Sequence, residues 1–192
     1  MYAFLLSTAV IFVAELGDKS QLMAMTFATR YRARDVLIGI TAATALVHLA
    51  SVAIGACIGD AFASKQGLIS VVAGIAFLAF ALWTLRGDEL SEEEESKAKK
   101  ATGLSILAVG VAFFLAELGD KTMLATITLA TQEGWLGTWI GSTVGMVAAY
   151  ALAIGVGALL GRRLPAAAIK YGAATLFALF GLILIAEGSG LI

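Results

Sequence analysis

A chain of 192 residues with one cysteine, Cys57, cannot close an intrachain disulfide, so whatever fixes its fold is non-covalent. A single proline leaves long helices largely uninterrupted. Charge is scarce as well. Only 14% of the residues are Asp, Glu, Lys or Arg, against about 25% in ordinary soluble domains. With 60% hydrophobic residues and a mean hydropathy of +0.93, a soluble protein of this size could not cover its apolar surface. Lipid is the expected solvent, and the bilayer the first expected partner. The net charge of −1 points to no nucleic acid.

What is present is a series of apolar runs. A bilayer-crossing helix needs about 20 mostly apolar residues. Six stretches qualify, near 3–29, 36–59, 67–86, 103–131, 137–160 and 167–187. Helices are expected because a spanning segment must satisfy its own backbone hydrogen bonds. The N-terminus has no basic region and no small-residue cleavage site before its apolar run, so it reads as a retained span. The fold class expected is an all-α polytopic membrane protein.

Lys and Arg give the orientation. Numbering span ends alternately, one side collects Arg30, Arg32, Arg34, Arg86, Lys97, Lys99, Lys100, Arg162, Arg163 and Lys170, and the other only Lys65. The positive-inside rule makes the first side cytoplasmic and places both termini outside. The stretch GDELSEEEESKAKKAT (87–102) reads as a charged cytoplasmic linker, with Glu93–Lys97 and Glu95–Lys99 at helix-compatible spacing.

The text repeats. FVAELGDKSQLMAMTFAT (12–29) returns as FLAELGDKTMLATITLAT (114–131), an offset of 102. The same offset pairs Gly55 and Gly59 with Gly157 and Gly161, and an offset of 100 pairs Phe77 and Phe80 with Phe177 and Phe180. The chain divides into a repeat at 1–86, the linker at 87–102 and a second repeat at 103–192. With three spans in each unit, the halves are expected to be inverted, related by a pseudo-twofold axis in the membrane plane. The Gly-x-x-x-Gly pairs read as helix-packing faces, within the chain or in a homodimer.

Charges inside the repeat carry the functional reading. Glu15 lies about 13 residues into its span, roughly 20 Å at 1.5 Å per residue. That is mid-bilayer, where each charge costs about 2.5–3.5 kcal/mol on insertion scales. Buried ionisable groups in membranes mark ion pathways by default. Glu15 and Asp18 are three residues apart on one helical face, and Lys19 is four from Glu15. Gly17 between the acids permits close helix approach or local unwinding. Glu117, Asp120 and Lys121 repeat the pattern, and Ser20 and Thr122 add hydroxyl oxygens.

Four carboxylates and two lysines sum to −2, which one divalent cation or two protons would neutralise. Cation–proton exchange is the natural mechanism, since clustered carboxylates titrate together. The motif offers oxygens and neither imidazole nor thiolate, which suits Ca²⁺, Mn²⁺ or Mg²⁺. Mg²⁺ sheds water reluctantly and fits least. The metal ligands expected are Glu15, Asp18, Glu117 and Asp120. Lys19 and Lys121 balance charge, Ser20 and Thr122 are secondary ligands, and Gln21 is a further candidate in one half only. His48, mid-span with Tyr150 as its repeat partner, is either a packing residue or a proton relay. No resident cofactor is expected; the cation is cargo. Two rivals remain. A passive channel is disfavoured by the neutralising lysines. An intramembrane aspartyl protease would need G-x-G-D, and residue 15 is Glu.

Two copies of E-x-G-D-[KR]-[ST], here ELGDKS (15–20) and ELGDKT (117–122), on the first and fourth of six spans, resemble the signature of the Gdt-type (MneA-like) cation/proton exchanger family. The resemblance extends over nearly the whole chain. It implies Mn²⁺ and/or Ca²⁺ transport against protons, with the motif acids as ligands. The short chain is similar to bacterial members, which implies a cell-membrane location.

Overall fold

A computed structural model describes residues 1–86, 105–160 and 166–191. The linker expected at 87–102, with its Glu–Lys pairs, lies outside the described residues, as do Arg162 and Arg163. Among the described residues the structure is helical and contains no strand. The helices are α1 (Tyr2–Glu15), α2 (Lys19–Ala28), α3 (Ala33–Ala61), α4 (Gln66–Arg86), α5 (Ser105–Glu117), α6 (Lys121–Ala130), α7 (Trp135–Leu160) and α8 (Ala166–Gly188). A single 3-10 turn, Ala63–Lys65, joins α3 to α4.

Four stretches are long and apolar enough to cross a membrane: Ala33–Ala61, Ala63–Arg86, Trp135–Gly157 and Lys170–Gly188. They match the second, third, fifth and sixth expected spans closely. The first and fourth differ. Each was expected as one span, with close helix approach or local unwinding at its glycine, and is two helices, broken at 16–18 and 118–120. The cause is local. Gly17 and Gly119 adopt φ of +75° and +79°, a left-handed conformation that costs other residues roughly 1–2 kcal/mol. Both breaks fall within the charged motif, at 15–19 and 117–121.

Large apolar side chains such as Leu46, Ile54, Leu68, Val72, Leu107, Leu152 and Leu182 point outward from the bundle. An exposed apolar surface of this extent requires a nonaqueous surround. The protein is therefore a membrane protein.

Close backbone approaches set the helix directions. A side chain at Gly137 would meet Ala3 and Phe4, and one at Gly145 would meet Thr8 and Phe12, so α7 runs parallel to α1. Gly39 lies against Ile106, Val109 and Gly110, and Gly59 against Thr131, so α3 runs parallel to α5 and α6. Gly67 meets Gly188 while Gly74 meets Gly181, so α4 and α8 are antiparallel. Each half thus lends its first helices to the other half's long helix. Repeat partners also meet directly: the Phe77 and Phe177 ring centroids are 5.8 Å apart, within a cluster that includes Phe80 and Phe180.

The glycine faces are used inside the chain. Gly55 packs on Ile127 and Ala130, and Gly157 on Met25. Of the two readings for Gly55 and Gly59, packing within the chain is the one observed.

Candidate functional site

The two helix breaks bring the repeated motif together. Asp18 caps α2, accepting hydrogen bonds from Ser20 N at 3.2 Å and Ser20 Oγ at 2.8 Å. Asp120 holds the equivalent position before α6, and Thr122 Oγ1 lies 3.2 Å from Glu117 Oε2 and 3.5 Å from Asp120 Oδ2. The glutamates end α1 and α5. Each aspartate therefore sits at the positive end of one short helix and each glutamate at the negative end of another. Such paired half-helix ends are a means of holding ions within a membrane.

Glu15, Asp18, Glu117 and Asp120 are all buried, as are Ser20, Thr122 and Lys121, while Lys19 is half-buried. Glu15, Asp18 and Asp120 each present a carboxylate oxygen within 4.8 Å of the others. Lys121 Nζ donates to Asp18 Oδ1, an ion pair that joins the two motifs across the chain. Glu117 is tied in by Tyr150, whose hydroxyl lies 2.6 Å from Glu15 Oε1 and 2.9 Å from Glu117 Oε1. One connected network thus contains all four acids. Glu15 Oε2 is buried and has no hydrogen-bond partner, leaving a free acceptor beside the other carboxylates.

Oxygen pairs up to 4.8 Å apart fit opposed ligands at about 2.4 Å, within the 2.3–2.6 Å range of Ca²⁺. The donor set is oxygen throughout, matching hard divalent cations.

Other expected residues fall differently. Gln21 Oε1 accepts from Gly17 N at 2.9 Å and its Nε2 donates to Ala149 O at 2.9 Å. Both ends of the amide are occupied by backbone, so Gln21 braces the break. Its repeat partner Met123 does the same with sulfur, accepting from Gly119 N at 3.2 Å. His48 is buried with Nδ1 3.5 Å from Thr143 Oγ1. Tyr150 was not expected as a site residue. The available signal was its place opposite His48 in the repeat: a polar ring in mid-span in both halves.

Gly119 allows a clean test of the break. A Cβ there would meet nothing within 4 Å, so Gly119→Ala adds only backbone strain. It is expected to lower stability by about 1–2 kcal/mol, read as a drop in melting temperature in detergent.

A second pair of acids sits at the far end of α6. Glu133 and Glu187 line a cavity of about 180 Å³ with Gln132 and Thr128. Burial first, and then the Glu187 charge, raise the Glu133 carboxyl above its ordinary value. The unfolded chain releases that proton at lower pH than the folded one, so stability falls as pH rises through this window. Glu133→Gln should therefore melt higher than wild type at pH 8. The difference should vanish below about pH 4, where both states are protonated.

Comparison with known proteins follows the same lines. A family profile described as "Divalent cation/proton antiporter GDT1" matches residues 3–92 and 105–191. A Vibrio cholerae protein named "Putative manganese exporter" is 34% identical over 95% of this chain and 90% of its own length. The chloroplast protein PAM71 of Arabidopsis thaliana is 31% identical over 96% of this chain, which spans only 56% of that protein. A GDT1-like protein of Synechocystis is 28% identical over 94% of this chain and 95% of its own. No solved structure matches.

Proposed function

The chain belongs to the GDT1 family of divalent cation/proton antiporters and is a transporter rather than an enzyme; on that premise we propose that it exchanges Mn²⁺ and/or Ca²⁺ for protons at one site made by Glu15, Asp18, Glu117 and Asp120. The observation that carries this reading is the convergence of the repeated acids of two broken helices, Glu15, Asp18 and Asp120 directly and Glu117 through Tyr150.

In this reading α1–α2 and α5–α6 each cross the bilayer as an interrupted helix. Neither piece is long enough alone: 14 residues of α1 give about 21 Å against a core of about 30 Å. The protein then has six crossings as two inverted repeats, 1–86 and 103–192. Inversion gives the site one approach from each membrane face, which alternating access requires. The Lys and Arg distribution favours a cytoplasmic face at 30–35, 86–102 and 161–170, with both termini outside.

Charge supplies the coupling. Four carboxylates with Lys121 and Lys19 sum to −2. A divalent cation or two protons restore neutrality, whereas the empty ionised cage is costly in a low-dielectric interior. The Tyr150 bridge supports proton occupancy. A phenol has one hydrogen, so both short contacts become hydrogen bonds only when one glutamate is itself protonated. Lys121 holds Asp18, and Ser20 and Thr122 orient the carboxylates. With protons in excess outside a bacterial cell membrane, exchange exports the cation from the cytoplasm.

Purified protein in liposomes, loaded acidic inside, should accumulate Mn²⁺ or Ca²⁺ and acidify the outer medium in step. Metal entry that ignores the pH gradient and carries single-channel currents would replace exchange with a channel.

A further inference from the structure

Most hydroxyls on these helices follow the usual membrane pattern and donate to the carbonyl four residues back. Thr8, Thr26, Ser51 and Thr143 all do so, at 2.7–2.9 Å. Five buried hydroxyls have no hydrogen-bond partner: Thr84 on α4, and Ser7, Thr44, Thr138 and Ser142 on α1, α3 and α7. Leaving a buried hydroxyl unsatisfied costs about 1–3 kcal/mol. Thr84 stands apart on α4; the other four require a shared explanation if they lie close together.

They do. α1 packs along the first half of α7, with Ala3 and Phe4 at Gly137 and Thr8 at Gly145. α3 meets the same stretch of α7: Trp139 Nε1 donates to Ala45 O at 2.9 Å, and Thr143 Oγ1 lies 3.5 Å from His48 Nδ1. On α7, Thr138 and Ser142 fall between the glycines that face α1 and the Trp139 and Thr143 that face α3, so both turn into this junction, while Ser7 on α1 and Thr44 on α3 are buried one residue from its contacts. The spacing then leads inward. Thr138, Ser142, Met146 and Tyr150 fall four apart on one face of α7, and Ser7, Ile11 and Glu15 fall four apart on α1. Both rows end at the acids.

The repeat supplies an internal control. At the offset of 102, Ser7, Thr138 and Ser142 correspond to Val109, Val36 and Ile40. Every one of these is apolar and buried. The junction of α5, α3 and α7 on the opposite side of the site is thus sealed by hydrocarbon where its counterpart carries hydroxyls.

We propose that the junction of α1, α3 and the first half of α7 is a water path, reaching the acids from the end of the molecule where α1 and α7 begin, and that the repeat-related junction is a dry seal. A water in such a site needs two to four polar partners, and the unpartnered hydroxyls together with His48 supply them. Ile11 and Met146 form the last apolar step before Glu15 and Tyr150. The two faces of the protein are then unequal. One side reaches the site through water threaded between packed helices, and the other only when helices part. The exchanged proton therefore has a standing route on one face that a hydrated divalent cation does not. This last consequence rests on the exchange reading above; the water path itself does not.

Thiol accessibility tests it. In a Cys57→Ala background, Ser7→Cys, Thr138→Cys and Ser142→Cys are compared with Val109→Cys, Val36→Cys and Ile40→Cys in proteoliposomes. The probe is a small membrane-impermeant methanethiosulfonate, which reacts only with a hydrated, ionisable thiol. The first set should react at least about tenfold faster than its repeat partners, and from the side carrying the N-terminus. Equal rates in the two sets, or no reaction in either, overturn the proposal whether or not the protein moves metal. A second arm removes the hydroxyls at nearly constant shape. Thr138→Val combined with Ser142→Ala should slow proton-driven Mn²⁺ uptake about tenfold while leaving the Mn²⁺-induced rise in melting temperature intact. Unchanged uptake in that variant counts against the path. Absence of metal transport in the wild type, with the labelling contrast present, counts instead against the exchange reading.

Discussion

Replacing Lys121 with methionine is expected to abolish transport and to destabilise the fold by about 3–5 kcal/mol. Lys121 is 4% exposed and its ammonium pairs with Asp18, which is itself fully buried. Methionine keeps the length of the side chain but removes the charge. Asp18 would then remain buried beside Glu15 and Asp120 with one positive neighbour fewer. The penalty of a buried, unpaired carboxylate is the source of the stability loss. The double variant Asp18→Asn/Lys121→Met removes both charges and should recover most of that stability. It should not recover transport, because the cage has lost a ligand. Thermal melting in detergent separates the two effects, and metal uptake in liposomes scores function. Lys19→Met should cost less, since Lys19 is only half-buried. A Lys121→Met protein that moves metal at wild-type rates would mean that the ion pair is incidental to the site.

Much of this site was readable because its chemistry is conspicuous in lipid. Glu15, Asp18, Glu117 and Asp120 stand out against apolar runs, and their doubling at one offset implied that they meet. Geometry was less accessible. The run from Phe12 to Thr29 is interrupted by Glu15, Asp18 and Lys19, but charge alone does not fix where a helix ends, and the break depends on the backbone angle at Gly17. That angle exposes a backbone N–H, and the residue four positions on is spent satisfying it. Gln21 therefore serves as a brace, a role its type did not announce. Met123 fills the same position with a thioether, so the structural need is shared while the polarity is not. Tyr150 escaped notice for a different reason. It belongs to α7, outside the motif, and only the crossing of helices carries its hydroxyl to both glutamates. Gly55 shows the same limit. Its spacing announces a packing face, but the partner is chosen by tertiary topology.

Glu15→Gln and Glu117→Gln should each reduce metal uptake at least about hundredfold, a loss of about 2.7 kcal/mol or more in the barrier, with the fold retained. Glutamine preserves the shape of the side chain, and its amide can still meet the Tyr150 hydroxyl, so the arrangement of helices should survive. The change is in charge. Removing one carboxylate relieves repulsion among buried like charges, and the variants should melt at or above the wild-type temperature. Loss of function with stability kept or gained is the signature of a group retained for binding. Tyr150→Phe provides the contrast. It keeps all four carboxylates and removes only the bridge between Glu15 and Glu117. If the site works by matching its negative charge to a doubly charged ion, Tyr150→Phe should lose only about tenfold, well short of either glutamine variant. If it works mainly by fixed geometry, Tyr150→Phe should be the more damaging change. Parallel Mn²⁺ and Ca²⁺ uptake by the three variants, together with their melting temperatures, decides between these orders. Glu15 and Glu117 share one hydroxyl and end equivalent half-helices, so equal losses in the two glutamine variants are the further mark of a site that both repeats build together.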